Sequence, residues 1–370
     1  MLMNDSYFEQ TKEQVLHFLR SLETGINFKY LPLNEGLLPP GEELSLGFSC
    51  YALKINYMIG EWEELNETKQ KDWISYINSF QTNFNGFPLN SYVDDGYIKN
   101  INKKNVLQVS KNIVKSSLTR LRIKEYETEN DRILNSIRAE SKQAIATLYQ
   151  VGGKNLNPYL DFPRSEEGIL DFLDNLDWTH PWHSGAQYAG LCVFTKTQEF
   201  ENKRVDILQS YADKLVDNDT GAYFLGAQPN NTELINGAMK MLTGFDWLDL
   251  DIHYPDKLID MCLSISPQSE GCDIVDIVYV LYQSSKTTDY RKYEILKYLE
   301  NLVELINIHR FKNTGGFSYH VNKSQTSYYG VKFSKGLNTP DLHGTTLLVW
   351  ALSMIKSLKD ENSEWNTLKP

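Results

Sequence analysis

Three short clusters of this 370-residue chain carry residue types that could do chemistry. In Pro340-Asp341-Leu342-His343-Gly344-Thr345, an imidazole stands two residues after a carboxylate. Such a neighbourhood outlines an acid/base pair, although Asp341 is equally suited to cap a helix start. Asp273 and Asp276 are three apart and share a face if helical. Two carboxylates on an apolar helix repel each other, and burial raises a carboxyl pKa, which suits a general acid. The structural alternative is an N-cap with a first-turn dipole contact. His180-Pro181-Trp182-His183 places two imidazoles three residues apart, able to shuttle protons, to hold a metal, or simply to start a helix beside Trp178. Zinc takes three or four ligands and no companion motif supplies the rest, so no metal ligand is assigned. The candidate catalytic residues are therefore His343, Asp341, Asp273, Asp276 and His183. Candidate substrate contacts are His180 and Trp182, Glu233 and Asn236 at another helix start, and Tyr328 and Tyr329 in the long loop after Gly316. A catalytic reading expects His343, Asp273 and His183 to converge, whereas a non-catalytic binding or scaffold protein leaves them on different faces.

The elements that must position these residues are helices. Apolar stripes at helical spacing run over Lys12 to Leu22, Phe48 to Ile59, Trp73 to Phe80, Ile133 to Gln150 and Tyr293 to Ile306. Gly152-Gly153 is a C-terminal stop signal for the fourth. A unit of helix, glycine-aromatic turn, polar helix start and apolar helix recurs. It is seen at Ile77 to Phe87, Leu173 to Phe194, Asp219 to Leu242, Gly271 to Tyr282 and Gly315 to Ile355, with parts missing in the weaker copies. The copies are unevenly spaced, roughly 45 to 70 residues apart, as for helical hairpins with loops of different length. Runs that are apolar all round, such as Leu347 to Leu352 and Ile274 to Leu281, suit helices covered on both sides. Tyr293 to Ile306 carries a charged face and suits an outer layer. A closed ring of such hairpins would point the polar helix starts into one cavity.

The Gly-Gly-Phe turn followed by a polar helix start resembles the (α/α) toroid of terpenoid cyclases and protein prenyltransferase β subunits. The resemblance is strongest from Gly271 to Leu358, thinner from Leu173 to Leu242 and faintest over residues 1–100. It implies an all-α fold, an (α/α) toroid of about five to six helical hairpins, as a single domain over residues 1–370. In prenyltransferases an Asp-x-Cys pair and a later Tyr-His-Thr hold zinc at two inner-helix starts. Asp273 or Asp276 stands near the first position, and Asp341-Leu342-His343-Gly344-Thr345 resembles the second. No cysteine follows either Asp at the required spacing, and Cys272 precedes Asp273 instead. The acidic Asp-x-Asp-Asp motif of the cyclases is missing too, since Asp249-Leu250-Asp251-Ile252 lacks its last Asp. Ligand spacing thus supports neither zinc nor magnesium, and no cofactor is expected.

Composition narrows the partners. A net charge of -11 opposes binding to a nucleic-acid backbone. No run reaches the roughly 18 apolar residues of a membrane span. The start, MLMNDSYFEQ, lacks the basic and apolar blocks of a secretion signal, and Cys50, Cys192, Cys262 and Cys272 are scattered in apolar contexts. Free buried thiols and the cytoplasm are the expectation. There is no P-loop, GxGxxG, HExxH, GxSxG or EF-hand. Two enzyme classes use an aromatic, polar toroid cavity. One performs acid-initiated chemistry on isoprenoids, with aromatic walls stabilising cations. The other is carbohydrate-active (a glycoside hydrolase, lyase or epimerase), with aromatics stacked on sugar rings. The resemblance favours the first, and the wet texture of the polar clusters favours the second. The expected partner is a small-molecule or glycan substrate, and the sequence says nothing of a partner subunit.

Overall fold

The computed structural model describes residues 4–83, 86–101, 129–198, 201–266, 269–360 and 363–370. Regular structure among them is almost entirely α-helical. The exceptions are two short antiparallel pairs, β1 (Gln81–Thr82) with β2 (Ser91–Tyr92) and β3 (Ser327–Tyr328) with β4 (Val331–Lys332).

Six times over, an outer helix leads into an inner one. The first hairpin runs from α1 (Asp5–Ser21) through the short α2 (Pro39–Glu43) to α3 (Leu46–Met58). The second runs from α4 (Glu67–Asn78) past α5 (Asp95–Ile101) to α6 (Glu129–Gln150). The third pairs α7 (Glu166–Asp174) with α8 (Pro181–Thr197), and the fourth α9 (Asn202–Leu215) with α10 (Asn231–Leu248). The fifth pairs α11 (Pro255–Ser264) with α12 (Gly271–Ser285), and the sixth α13 (Lys292–Ile308) with α14 (Leu342–Lys359). Around the ring α3 packs on α6, α6 on α8, α8 on α10, α10 on α12 and α12 on α14, and α14 returns to α3. The fold is therefore an all-α (α/α) toroid, with six hairpins among the described residues, at the upper end of the sequence expectation.

Residue type explains which helix goes where. The inner helices are buried nearly all round: α14 hides Leu348, Val349, Trp350, Ala351 and Leu352 in succession. Outer helices bury a single stripe, as α13 does with Ile295, Leu299, Leu302, Val303 and Ile306. Helix starts are set by side-chain caps, with Asn66, Ser165 and Asn230 accepting from the backbone N–H of Lys69, Gly168 and Glu233. The segment 363–370 lies across the C-terminal ends of the inner helices. Asn366 N–H donates to the Met58 carbonyl (2.9 Å), Lys369 N–H to Gln150 Oε1 (2.8 Å) and Trp247 Nε1 to the Pro370 carbonyl (2.9 Å).

The turn that ends the sixth outer helix needs its glycines. Gly315 and Gly316 both have φ +74°, and a Cβ on Gly315 would collide with the Gln14 carbonyl of α1. We expect Gly315→Ala to lower stability in urea titration by about 2 kcal/mol, from left-handed backbone strain and loss of this contact. Gly25→Ala, with nothing within 4 Å of the new carbon, should stay within about 0.5 kcal/mol of the parent. Equal losses in the two variants would contradict the role of the turn.

Candidate active site

The ring encloses a cavity of about 1000 Å³, reached by side chains from all six inner helices and floored in part by Leu368 and Pro370. Its wall mixes flat aromatic faces (Tyr51, Phe162, Trp182, Phe194, Tyr329, Trp350) with hydrogen-bonding and charged groups.

Asp276 projects into this cavity from the second turn of α12 and is only 4% exposed. Burial pushes its carboxyl up to about 7; Lys240 pulls it back down and Asp273 pushes it further up. Asn236 of α10 faces it; with its amide turned end for end, the nitrogen donates to Asp276 Oδ2 and to the Thr232 carbonyl, each at 3.2 Å. Asp273, one turn earlier, is raised by burial and lowered by its hydrogen bond to Asn236, and it does not line the cavity. Cys272 does line it and hydrogen-bonds the Tyr319 hydroxyl at 2.9 Å.

His343 enters the cavity from the first turn of α14, its ring stacked on Tyr51 at 4.6 Å and tilted against Tyr319 at 4.9 Å. Burial, reinforced by Lys54, drives its pKa down to about 3, so the imidazole is neutral at physiological pH. Nδ1 is buried without a hydrogen-bond partner among the described residues.

The expected pairing of His343 with Asp341 is not made. Asp341 is the N-cap of α14, and its carboxylate accepts from the N–H groups of Gly344 (2.8 Å), Tyr319 (2.8 Å) and Gln325 (3.1 Å). Burial raises it to about 6 and these backbone bonds lower it. The carboxylate is thus engaged in tying the preceding loop to the helix start.

The expected convergence of His343, Asp273 and His183 is not made: of the three only His343 lines the cavity, with Asp273 off its wall and His183 lying outside. That imidazole is exposed beside Trp182 and is not part of the cavity wall. The neighbouring His180 is also exposed, with Nδ1 2.8 Å from Asp177 Oδ2, and the physical reason is local: the cluster sits at the start of α8, where the chain turns in from outside. Trp182 does reach the cavity, and its backbone N–H donates to Glu233 Oε1 at 3.0 Å. Glu233 therefore caps α8 from α10. Of the two loop tyrosines, Tyr329 lines the cavity, and Tyr328 is buried behind it with its hydroxyl donating to Glu140.

Several cavity groups went unsuspected in the sequence: Lys54 on α3, Arg138 and Lys142 on α6, Lys240 on α10, and Asp161, which pairs with Arg138 Nε at 2.7 Å. The signal for Lys54 and Lys240 was present, since each interrupts an otherwise apolar run, Ala52-Leu53-Lys54-Ile55 and Ala238-Met239-Lys240-Met241. Burial lowers the pKa of Lys54, and burial with the nearby charges of Lys240 and Lys54 brings Lys142 down to about 7. Among the described residues no three His, Cys, Asp or Glu side chains gather as a metal site.

No family model and no curated protein matches the chain. Among solved structures, the GH76A alpha-1,6-mannanase from Salegentibacter sp. HEL1_6 aligns over 95% of this chain and 98% of that chain, at 14% identity and a TM-score of 0.41. That likeness is too loose to argue from, and the toroid assignment rests on the closed circuit of inner-helix contacts. No helix among the described residues is long and apolar enough to cross a membrane.

Glu140 gives a pH test of the enclosed interior. Burial pushes it up to about 8, with Asp94 adding and Tyr328 and Lys54 opposing. A carboxyl whose folded pKa lies above its unfolded value near 4.5 gives stability that is complete below the unfolded value and is lost as pH rises through the folded one. We expect Glu140→Gln, which keeps an acceptor for Tyr328, to melt close to the parent at about pH 5 and increasingly above it toward about pH 8.5. Parallel melting curves across that range would contradict the burial of this carboxyl.

Proposed function

We propose that the chain is a carbohydrate-active enzyme that binds a sugar in the ring cavity and uses Asp276 as its proton donor. The feature that supports this reading is the composition of the cavity lining: a buried carboxyl that desolvation pushes up to about 7, set among aromatic faces and hydrogen-bonding side chains. Sugars need both kinds of surface, with C–H faces stacked on rings and hydroxyls paired to polar groups. Asn135, Gln143, Gln187 and Thr243 supply the second kind here. A hydrocarbon chain would bury the lysine amines without a partner, at a cost of at least about 1–3 kcal/mol each.

In this reading Asp276 donates to the leaving oxygen of a glycosidic bond, and Asp161, held by Arg138, is the second carboxylate of the pair that such cleavage uses. His343, neutral and stacked on Tyr51, positions substrate as a hydrogen-bonding group. The four cysteines are free, which fits a reducing compartment, and we place the protein in the cytoplasm. The isoprenoid reading keeps the aromatic wall as its support and is tested alongside.

The experiment is a screen of oligosaccharides for new reducing ends and of prenyl diphosphates for turnover. We expect saccharide cleavage, a decline in rate as pH rises above about 7, where Asp276 loses its proton, and a loss of about 100-fold or more in Asp276→Asn. Full activity in Asp276→Asn, or turnover of prenyl diphosphates alone, would overturn the reading.

A further inference from the structure

Three lysines reach the cavity from three different inner helices: Lys54 from α3, Lys142 from α6 and Lys240 from α10. Among the described residues none of the three amines has an ion-pair or hydrogen-bond partner, although the protein as a whole is acidic. Elsewhere lysines do find carboxylates: Lys12 with Glu61, Lys99 with Glu43, Lys203 with Glu166. Lys142 lies close enough to the other two for the charges of Lys240 and Lys54 both to disfavour its own charged form. Like charges gathered in a cavity are costly even with single carboxyls nearby, as Glu140 is to Lys54 and Asp276 to Lys240, and such a group is relieved by an anion placed between them. Lys240 also feels Asp276, which puts the cationic region next to the proton donor.

We propose that the cavity takes an anionic saccharide, whose carboxylate, sulfate or phosphate substituent sits among Lys54, Lys142 and Lys240 while the sugar lies against Asp276. The proposal rests on the carbohydrate-active reading and goes further by fixing the charge of the substrate. Aromatic faces at Trp182 and Tyr329 give the ring stacking that an inorganic anion would not use. An isoprenoid diphosphate shares the anionic chemistry but has no use for the surrounding amides and hydroxyls, so it is the natural competitor in the test.

Binding of the full chain would be measured by calorimetry and by thermal shift. The probes are an oligogalacturonate, a sulfated oligosaccharide, a neutral oligogalactoside of equal length, inorganic sulfate and farnesyl diphosphate. We expect an acidic oligosaccharide to bind at least about tenfold more tightly than the neutral one, and Lys142→Gln or Lys240→Gln to lower that affinity by about tenfold or more. Because Lys142→Gln removes a repelled charge, that ligand-free variant should melt at or above the parent temperature, which separates lost binding from lost folding. Lys203→Gln, on the surface, should bind as the parent does. Equal affinity for neutral and acidic oligosaccharides, unaffected by the lysine variants, would overturn the anionic assignment and leave the carbohydrate reading standing. Binding of farnesyl diphosphate with no saccharide would overturn both. Binding of none of the five probes, or of inorganic sulfate alone, would likewise overturn the proposal.

Discussion

Everything in the interior depends on one closure, the packing of the last helix, α14, against the first inner helix, α3. Until those two meet, the inner helices border an open cleft and their side chains face water. Once they meet, the side chains of all six line one cavity, and desolvation becomes the dominant force on Asp276, Lys142 and His343. The same cause moves Asp276 up, Lys142 down and His343 down, each toward its uncharged form. Groups that would be ordinary on a surface acquire their chemical character from the ring.

The loop ahead of α14 secures the closure. Asp341 gathers three backbone N–H groups, binding the helix start to Tyr319 and Gln325. Further along, Tyr328 reaches Glu140 on α6 and packs edge-on to Tyr51 on α3. Gly47 and Gly344 leave room for these approaches, because a Cβ on either would strike Tyr328 or the Tyr319 backbone. Polar residues at helix starts therefore divide into two kinds of work. Some tie the frame together, as Asp341 and Glu233 do, and others project into the cavity, as Asp276 and His343 do.

That division explains what could be read from the chain. Helical periodicity located the outer helix at Tyr293 to Ile306, although its buried stripe begins at Ile295 and Tyr293 is exposed, and it located the apolar run at Leu347 to Leu352; glycine-aromatic turns marked where one helix hands over to the next. The spacing of Asp273 and Asp276 put both on one helix, but only the rotation of α12 within the ring decides that Asp276 faces inward. The same limit applies to His183, whose cluster looks as chemical as that of His343 yet stays outside. Cavity lysines escaped notice because a single lysine on a helix ordinarily reaches solvent along its stem. Lys54 and Lys240 are informative only when read as interruptions of helices that are apolar on every side.

The account turns on a carboxyl that is protonated near neutral pH because the ring encloses it. Carbon-13 NMR titration of the aspartate carboxyls, compared between the parent and Asp276→Asn, tests this most directly. The account expects one resonance titrating near 7 in the parent and absent from the variant. If every aspartate in the parent titrates at ordinary carboxylate values, around 4, the cavity does not tune Asp276 and the account is contradicted.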